Sequence, residues 1–236
     1  MSASERRGAA RTSIVWESLQ GILGSDSDVL DIGGGTGGFA VRVAELGHRV
    51  RVIDPSPDAL AALSRRAQEG DVADRVTGQQ GDISTLLEAV GPESVDVVLC
   101  HGVLEVVDDP ASALATLAQV LRPGGTLSVL ANQRHAAVVA RAIAGHFGQA
   151  REILDGAAVG RSGHRFTSDE ITGLLDGAGL RVTSIHGIRV FADLVPGSLL
   201  DLEPGATQAL LDLERAVATR SEYLPLATQV HVLATR

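Results

Sequence analysis

The chain has 236 residues, 44% of them hydrophobic and 21% charged, which suits one globular domain with an appended lobe and excludes a largely disordered chain. Its 29 acids outnumber its 20 basic residues, all of them arginine, and the net charge of −9 argues against a general nucleic-acid coat without excluding a local basic patch. The single cysteine, Cys100, cannot close an internal disulfide, and no cluster of ligands suggests a metal. The apolar runs fall short of the ~20 residues that a membrane span needs, and the first residues lead into no secretory core, so a cytosolic protein is expected.

From residue 27 to 131, short β-branched runs alternate with helical stretches. Val29 to Ile32 reads as a buried strand closed by Gly33-Gly34-Gly35. Phe39 to Leu46 has helical spacing and stops at Gly47. Arg49 to Ile53 is a second strand ending at Asp54, and Ser56 caps a helix that opens on Pro57. Arg75 to Gln79 is a weaker third strand and Val95 to Cys100 a fourth. Pro110 starts a helix running to Leu121, and Arg122-Pro123-Gly124-Gly125 turns it into a fifth strand over Thr126 to Leu130. Strands alternating with helices imply right-handed crossovers and a mostly parallel α/β sheet covered on both faces.

After residue 131 the rhythm changes. Residues 133–165 hold one expected helix, Ala136 to Phe147, followed by a Gly-rich stretch; five arginines face two acids there, a net +3. A helix near Ser168 to Ala178 and strands near Leu180 to Val190 and Thr228 to Leu233 return to the sheet. Residues 192–222 are acidic, with six acids against two arginines. The expected organisation is one domain over 1–236: an N-terminal helical segment (1–24), a cofactor-binding half (27–131), an inserted basic segment (133–166) and a substrate-side half (167–236).

The strongest motif is Asp31-Ile32-Gly33-Gly34-Gly35-Thr36-Gly37, with Asp54 at the end of the next strand. Glycines permit a tight strand-to-helix turn and a close backbone approach to a ligand, and an acid ending strand two can accept both hydroxyls of a ribose. Gly33-x-Gly35-x-x-Gly38 also fits a dinucleotide fingerprint. Asp31, however, lies two residues before the first glycine, where a carboxylate is unhelpful to a pyrophosphate and suits a cation. S-adenosylmethionine carries a sulfonium and an ammonium and no phosphate. Gly81-Asp82-Ile83, after strand three, can bond an adenine amino group. Features at the carboxyl ends of consecutive strands, where open α/β sheets bind ligands, favour S-adenosylmethionine over NAD(P).

The run Asp31 to Gly37, Asp54, Gly81-Asp82 and Leu121-Arg-Pro-Gly-Gly125 resembles the class I S-adenosylmethionine-dependent methyltransferases. That resemblance implies a Rossmann-like seven-stranded sheet, helices on both faces, with the last strand antiparallel. A narrower resemblance is to the tRNA 5-carboxymethoxyuridine methyltransferases. It is carried by Arg11-Thr-Ser-Ile-Val-Trp16, His101-Gly-Val-Leu-Glu105 with Asp109-Pro110, Ala144-Gly-His-Phe147, Gly187-Ile-Arg-Val-Phe191, Ala209-Leu-Leu-Asp-Leu-Glu214 and Val230 to Arg236. By position, this family likeness implies that Arg11 reaches the methionine carboxylate of the cofactor and that Gly33 and Gly34 line the loop. It likewise implies that Asp54 holds the ribose, that Gln80 and Gly81 sit by the adenine, and that His101 lies beside the sulfonium. The chain departs from the family where a lysine-rich loop is expected, carrying Arg151, Arg161 and Arg165 diluted by Glu152 and Asp155, and in Ala131 to His135 after strand five.

Methyl transfer from a sulfonium is an in-line displacement for which the protein supplies mainly alignment and a dry pocket. A carboxylate acceptor is ionised at neutral pH and needs a cation, not a base. Arg189 is the candidate anchor, with Arg134 and Tyr223 as weaker ones; an amine or hydroxyl acceptor calls for a base, His101 or His135. The family resemblance and the basic segment at 133–165 imply a wobble-uridine carboxymethoxy group in tRNA as acceptor; the acidic net charge and the missing lysines leave a small metabolite as the alternative, and oligomeric state is not legible.

Overall fold

A computed structural model of the chain describes residues 13–156, 163–200 and 204–236; Arg11 and Arg161, singled out above, lie outside them. The described chain begins with a helix, α1, over residues 13–20. Then follow β1 (Asp28–Ile32), α2 (Ala40–Glu45), β2 (Arg49–Asp54), α3 (Pro57–Glu69), β3 (Val76–Gln80), α4 (Leu86–Val90), β4 (Val95–His101) and α5 (Pro110–Val120). The second half runs β5 (Leu121–Asn132), α6 (Arg134–Ile143), α7 (Phe147–Leu154), α8 (Ser168–Gly177), β6 (Arg181–Ile188), α9 (Gly197–Leu200), α10 (Ala206–Val217) and β7 (Gln229–Thr235). No helix among the described residues is long and apolar enough to cross a membrane.

The seven strands form one sheet in the order β3-β2-β1-β4-β5-β7-β6. β1 pairs in parallel with β2 and β4, and β2 with β3. β7 runs against β5: Arg236 N donates to Gly125 O, while Gln133 N donates to Thr228 O, so the partner number falls as the β5 number rises. The antiparallel last strand matches the expectation.

Two compact units are distinguishable. One comprises Ile22–Val129, Gly173–Thr183 and Leu233–Arg236; the other comprises the described residues up to Gly21, Leu130–Thr172 and Ser184–Val232. In the first, Val29, Leu30, Ile32, Val50, Val52, Ile53 and the whole run Val97 to Cys100 are buried. Burial on both faces of a parallel sheet explains why these strands read as continuous apolar runs. β3 is the edge strand, exposed after Val76, and its sequence VTGQQ carries the weakest strand signal for that reason. The two N1 prolines act as read: Ser56 Oγ accepts from Ala59 N at 3.2 Å, and Asp109 Oδ1 from Ala111 N at 3.0 Å.

Two local expectations are corrected. β5 starts at Leu121, not Thr126, because the glycines expected to form a turn are paired: Gly124 N donates to Arg236 O, and Arg236 N to Gly125 O. The single helix expected over Ala136 to Phe147 is two, α6 and α7, broken at Gly145, which takes φ +77. The acidic stretch contains α10, a 12-residue amphipathic helix that buries Glu214 and Val217.

Candidate active site

The strand order reverses between β1 and β4, and the loops leaving the carboxyl ends of β1 to β4 enclose a cavity of about 730 Å³. This is the switch point at which open α/β sheets bind ligands. Its wall takes Ile32 and Gly33 from the first loop, Asp54 and Pro55 from the second, Asp82 to Ser84 from the third, and Val103, Val106 and Val107 from the fourth. Among the described residues, four aspartates line it, Asp54, Asp82, Asp108 and Asp109, and no basic residue does. Such a wall repels a pyrophosphate and suits a ligand carrying positive charge.

The glycine loop is shaped around two buried carboxylates. Gly33 N donates to Ile53 O at 2.7 Å, tying the loop to β2. Gly35, at φ +55, donates its N–H to Asp54 Oδ2 at 2.8 Å, and Ser56 N reaches Asp54 Oδ1 at 2.9 Å. These two amides aim the Asp54 carboxylate, 7% exposed, at the cavity that it lines. Each carboxylate oxygen keeps a second lone pair, so both can still accept a diol.

Asp31 lies beneath the loop, 4% exposed. Burial, and then repulsion from Asp54, pushes its carboxyl up to about 7. Gly34 packs so closely over it that a built Cβ collides with the Asp31 carboxylate. Gly34→Ala is therefore expected to displace either the loop or the acid, costing roughly 1–3 kcal/mol of stability and at least tenfold in affinity for the cationic ligand. Melting and titration calorimetry check this, and unchanged values in both would show that the tight approach is incidental.

Gly81 N donates to Asp54 O at 3.2 Å, and Gln80 pairs with Asp54 in register. The Gln80 amide is exposed and held by Pro55 O at 3.2 Å, and Gln80 is not a wall residue of the cavity. Asp82 caps the short 3-10 turn Ile83–Thr85 and lines the cavity. The Ser84 hydroxyl, 2.6 Å from Asp82 Oδ1, holds that carboxyl below its usual range. His101 ends β4; its Nε2 lies 2.8 Å from Ser128 Oγ, and its ring meets Phe39 edge-on at 5.0 Å. It is packed beside the cavity and is not one of the wall residues. Burial pushes the Cys100 thiol up, which leaves it inert as a nucleophile.

Arg189 belongs to the other unit, directly after β6, and takes the left-handed φ of +58, strained for a side chain of its size. Its Nε lies 3.4 Å from Asp193 Oδ2, which accepts from Thr228 Oγ1 at 2.8 Å. The turn after it is caught by a buried carboxylate: Glu214, 1% exposed, accepts from Val190, Phe191 and Ala192 N–H at 2.8, 2.8 and 2.7 Å. Tyr223 packs edge-on against Phe191 at 5.9 Å, Arg134 is paired with Glu170 at 2.8 Å, and His135 is exposed. Sequence reasoning quoted Glu214 and Val103 without a role and passed over Val106 and Val107 of the apolar wall. An apolar residue in a loop after the fourth strand was the only available signal for that wall.

A family model described as a methyltransferase domain matches residues 30–127. The tRNA 5-carboxymethoxyuridine methyltransferase of Escherichia coli (strain K12) is 30% identical over 239 residues, covering 98% of this chain and 89% of that protein. A ubiquinone biosynthesis O-methyltransferase of Cupriavidus pinatubonensis is 32% identical over 173 residues, 72% of this chain and 67% of that protein. Among solved structures, an S-adenosylmethionine-dependent methyltransferase of Methanosarcina mazei superimposes with a TM-score of 0.64 at 18% identity, covering 93% of this chain and 96% of that one. One from Mesorhizobium loti does so at 0.63 and 20%, covering 96% and 100%. The buried Asp31, the acid-lined cavity and the amide-aimed Asp54 fit a cationic nucleoside, in keeping with these relatives. The chain belongs to the class I S-adenosylmethionine-dependent methyltransferases, with S-adenosylmethionine as its cofactor.

Proposed function

We propose that the protein methylates the carboxylate of 5-carboxymethoxyuridine at the tRNA wobble position, forming a methyl ester, and so works in the cytoplasm where tRNA is modified. The observation that carries this reading is the similarity to a tRNA 5-carboxymethoxyuridine methyltransferase along 98% of the chain. S-adenosylmethionine, when bound, supplies a methyl group already activated for displacement. Asp54 would accept the ribose hydroxyls and Asp82 the adenine amino group, with Gln80 and Gly81 supporting that loop from the end of β3 rather than from the cavity wall; Asp31 would balance the positive charge, and Arg11 would take the methionine carboxylate. Gly33, Gly34 and Gly35 would bring backbone amides close, and His101 would back the sulfonium side from behind Gly102 and Val103 of the wall. The acceptor carboxylate is ionised at neutral pH and needs no base. Arg189 holds it, leaving one oxygen to attack.

The test incubates purified protein with S-adenosylmethionine and tRNA from a strain lacking the ester, then digests the tRNA to nucleosides for mass spectrometry. A 5-carboxymethoxyuridine that gains one methyl group is the expected result. Unchanged nucleosides from a protein that still binds cofactor would overturn the tRNA assignment. Arg189→Ala is expected to leave cofactor affinity intact and to lower acceptor kcat/KM roughly 10–100-fold, the loss of one charge-assisted contact. Equal losses on both sides would show that Arg189 is not an acceptor anchor.

A second reading, O-methylation of a small metabolite, draws on the 32% identity to the ubiquinone biosynthesis O-methyltransferase and on the net charge of −9. A hydroxyl acceptor would call for His101 or His135 as base. Weak, salt-insensitive tRNA binding would favour this reading.

A further inference from the structure

The guanidinium of Arg189 is occupied on one edge and open at its end. Its side chain is only 23% exposed, and its ion-pair partner is Asp193, 28% exposed. Asp193 Oδ2 stands 3.4 Å from Arg189 Nε, near enough for an ion pair and too far for a good hydrogen bond. Nε is buried and has no hydrogen-bond partner among the described residues. At the end of the fork, neither Nη1 nor Nη2 has a hydrogen-bond or ion-pair partner among the described residues.

Thr228 holds this pair from the neighbouring strand. Its N–H donates to Arg189 O at 3.2 Å, which sets the two residues side by side. Its hydroxyl has two acceptors within reach, Asp193 Oδ2 at 2.8 Å and Arg189 O at 3.3 Å. A hydroxyl has one hydrogen, and the shorter bond to a charged oxygen takes it. The backbone between Arg189 and Asp193 is fixed separately, by the three amides that Glu214 accepts. Thr228 is therefore the side chain that decides where the Asp193 carboxylate sits in a turn already held. All these residues belong to one unit, Ser184–Val232.

A cation this far from water needs a countercharge. A carboxylate gripping the whole side of the guanidinium would spend the donors that an anchor needs. One held by Thr228 beside Nε compensates the charge and leaves the two Nη groups unspent. An acceptor carboxylate then meets a pair of N–H groups at the end of the fork, which gives it one orientation. That contact uses one lone pair of each oxygen and leaves another free to attack the methyl group. We propose that Thr228 is a positioning residue for methyl transfer: by holding Asp193 on the Nε edge, it presents the Nη1–Nη2 end of Arg189 to the acceptor carboxylate. This deepens the carboxylate reading above and rests on it.

The test compares the natural protein with Thr228→Val, which keeps the shape and the backbone N–H and loses the hydroxyl, and with Thr228→Ser, which keeps the hydroxyl. Acceptor kcat/KM on tRNA is expected to fall about 5–10-fold in the valine variant, as for coupled neighbours in one polar network, and to return to within about twofold of the natural value in the serine variant. Cofactor affinity stays unchanged in both. In an Arg189→Ala background the valine change is expected to cost nothing further, because it acts through Arg189; a merely structural threonine would cost the same in both backgrounds. In nitrogen–proton correlation spectra, the Arg189 Nε–H cross-peak, assigned by its loss in Arg189→Lys, is expected to shift and broaden in Thr228→Val and to keep its place in Thr228→Ser. An unmoved cross-peak in the valine variant overturns the proposal, and so does an equal loss of kcat/KM with and without Arg189. If the natural protein esterifies tRNA and Arg189→Ala lowers kcat/KM while Thr228→Val does not, the carboxylate reading stands and the positioning role falls. If the natural protein forms no ester on tRNA, the tRNA reading falls, and the cross-peak decides by itself whether Thr228 sets the Arg189 side chain.

Discussion

Asp31→Asn is expected to stabilise the cofactor-free protein above neutral pH while weakening S-adenosylmethionine about a hundredfold. Asp31 is buried, and burial followed by repulsion from Asp54 pushes its carboxyl up to about 7 from the model-peptide value of 3.8. Between these values the folded chain keeps a proton that the unfolded chain has released. Stability therefore falls as pH rises from about 4, and the full cost, about 4 kcal/mol, is present above 7. Asparagine keeps the shape and removes the charge. The variant should melt about 8–16 °C higher near pH 8 and gain little near pH 4. The ligand's positive charge needs an ionised partner, so affinity in the natural protein should drop about tenfold per pH unit below 7, while the variant's affinity is weak and flat. Calorimetric melts from about pH 4 to 9, with and without cofactor, check both arms. A variant whose melting temperature follows the same pH profile as the natural protein would show that Asp31 is not the strained group.

The parts of this molecule that were legible in its sequence are those where local chemistry has few solutions. Ser56-Pro57 and Asp109-Pro110 mark helix starts because a capping oxygen accepts from orphan amides of the first turn and a proline removes another in any fold. β1, β2 and β4 stood out because burial on both faces demands apolar runs, and β3 was faint because its residues face water. Asp31, the glycine loop and Asp54 were legible from spacing alone, since a close approach such as Gly34 over Asp31 leaves glycine as the residue that fits. The break at Gly145 was hidden by good helix formers on both sides. The role of Glu214 was illegible for a different reason. Its partners are backbone amides, which every residue offers, 22 to 24 positions away.

That clamp carries the second large effect. Glu214→Gln is expected to destabilise the unit that holds it by roughly 2–4 kcal/mol, seen as a fall of about 5–10 °C in melting temperature. The carboxylate accepts Phe191 and Ala192 N–H on Oε1 and Val190 N–H on Oε2. An amide of the same shape has one acceptor oxygen. Kept on the two-bond side, it points an NH2 at the Val190 amide, leaving two donors face to face in a site from which water is excluded. The three amides belong to the turn that follows Arg189, which is itself held at φ +58. A left-handed arginine persists only where its surroundings over-determine it, and the three bonds to Glu214 supply that constraint. Relaxation of Arg189 should follow the loss of the clamp. Acceptor KM should then rise with the fall in stability, while cofactor affinity, which the proposal assigns mainly to Asp31 and Asp54 of the other unit, is expected to hold. Glu214→Asp keeps both oxygens on a shorter arm and should recover part of the melting temperature and of the acceptor KM together. A glutamine variant that melts like the natural protein would show that the three short bonds contribute no net stability. One that melts lower but uses acceptor normally would show that the clamp shapes the fold without setting Arg189.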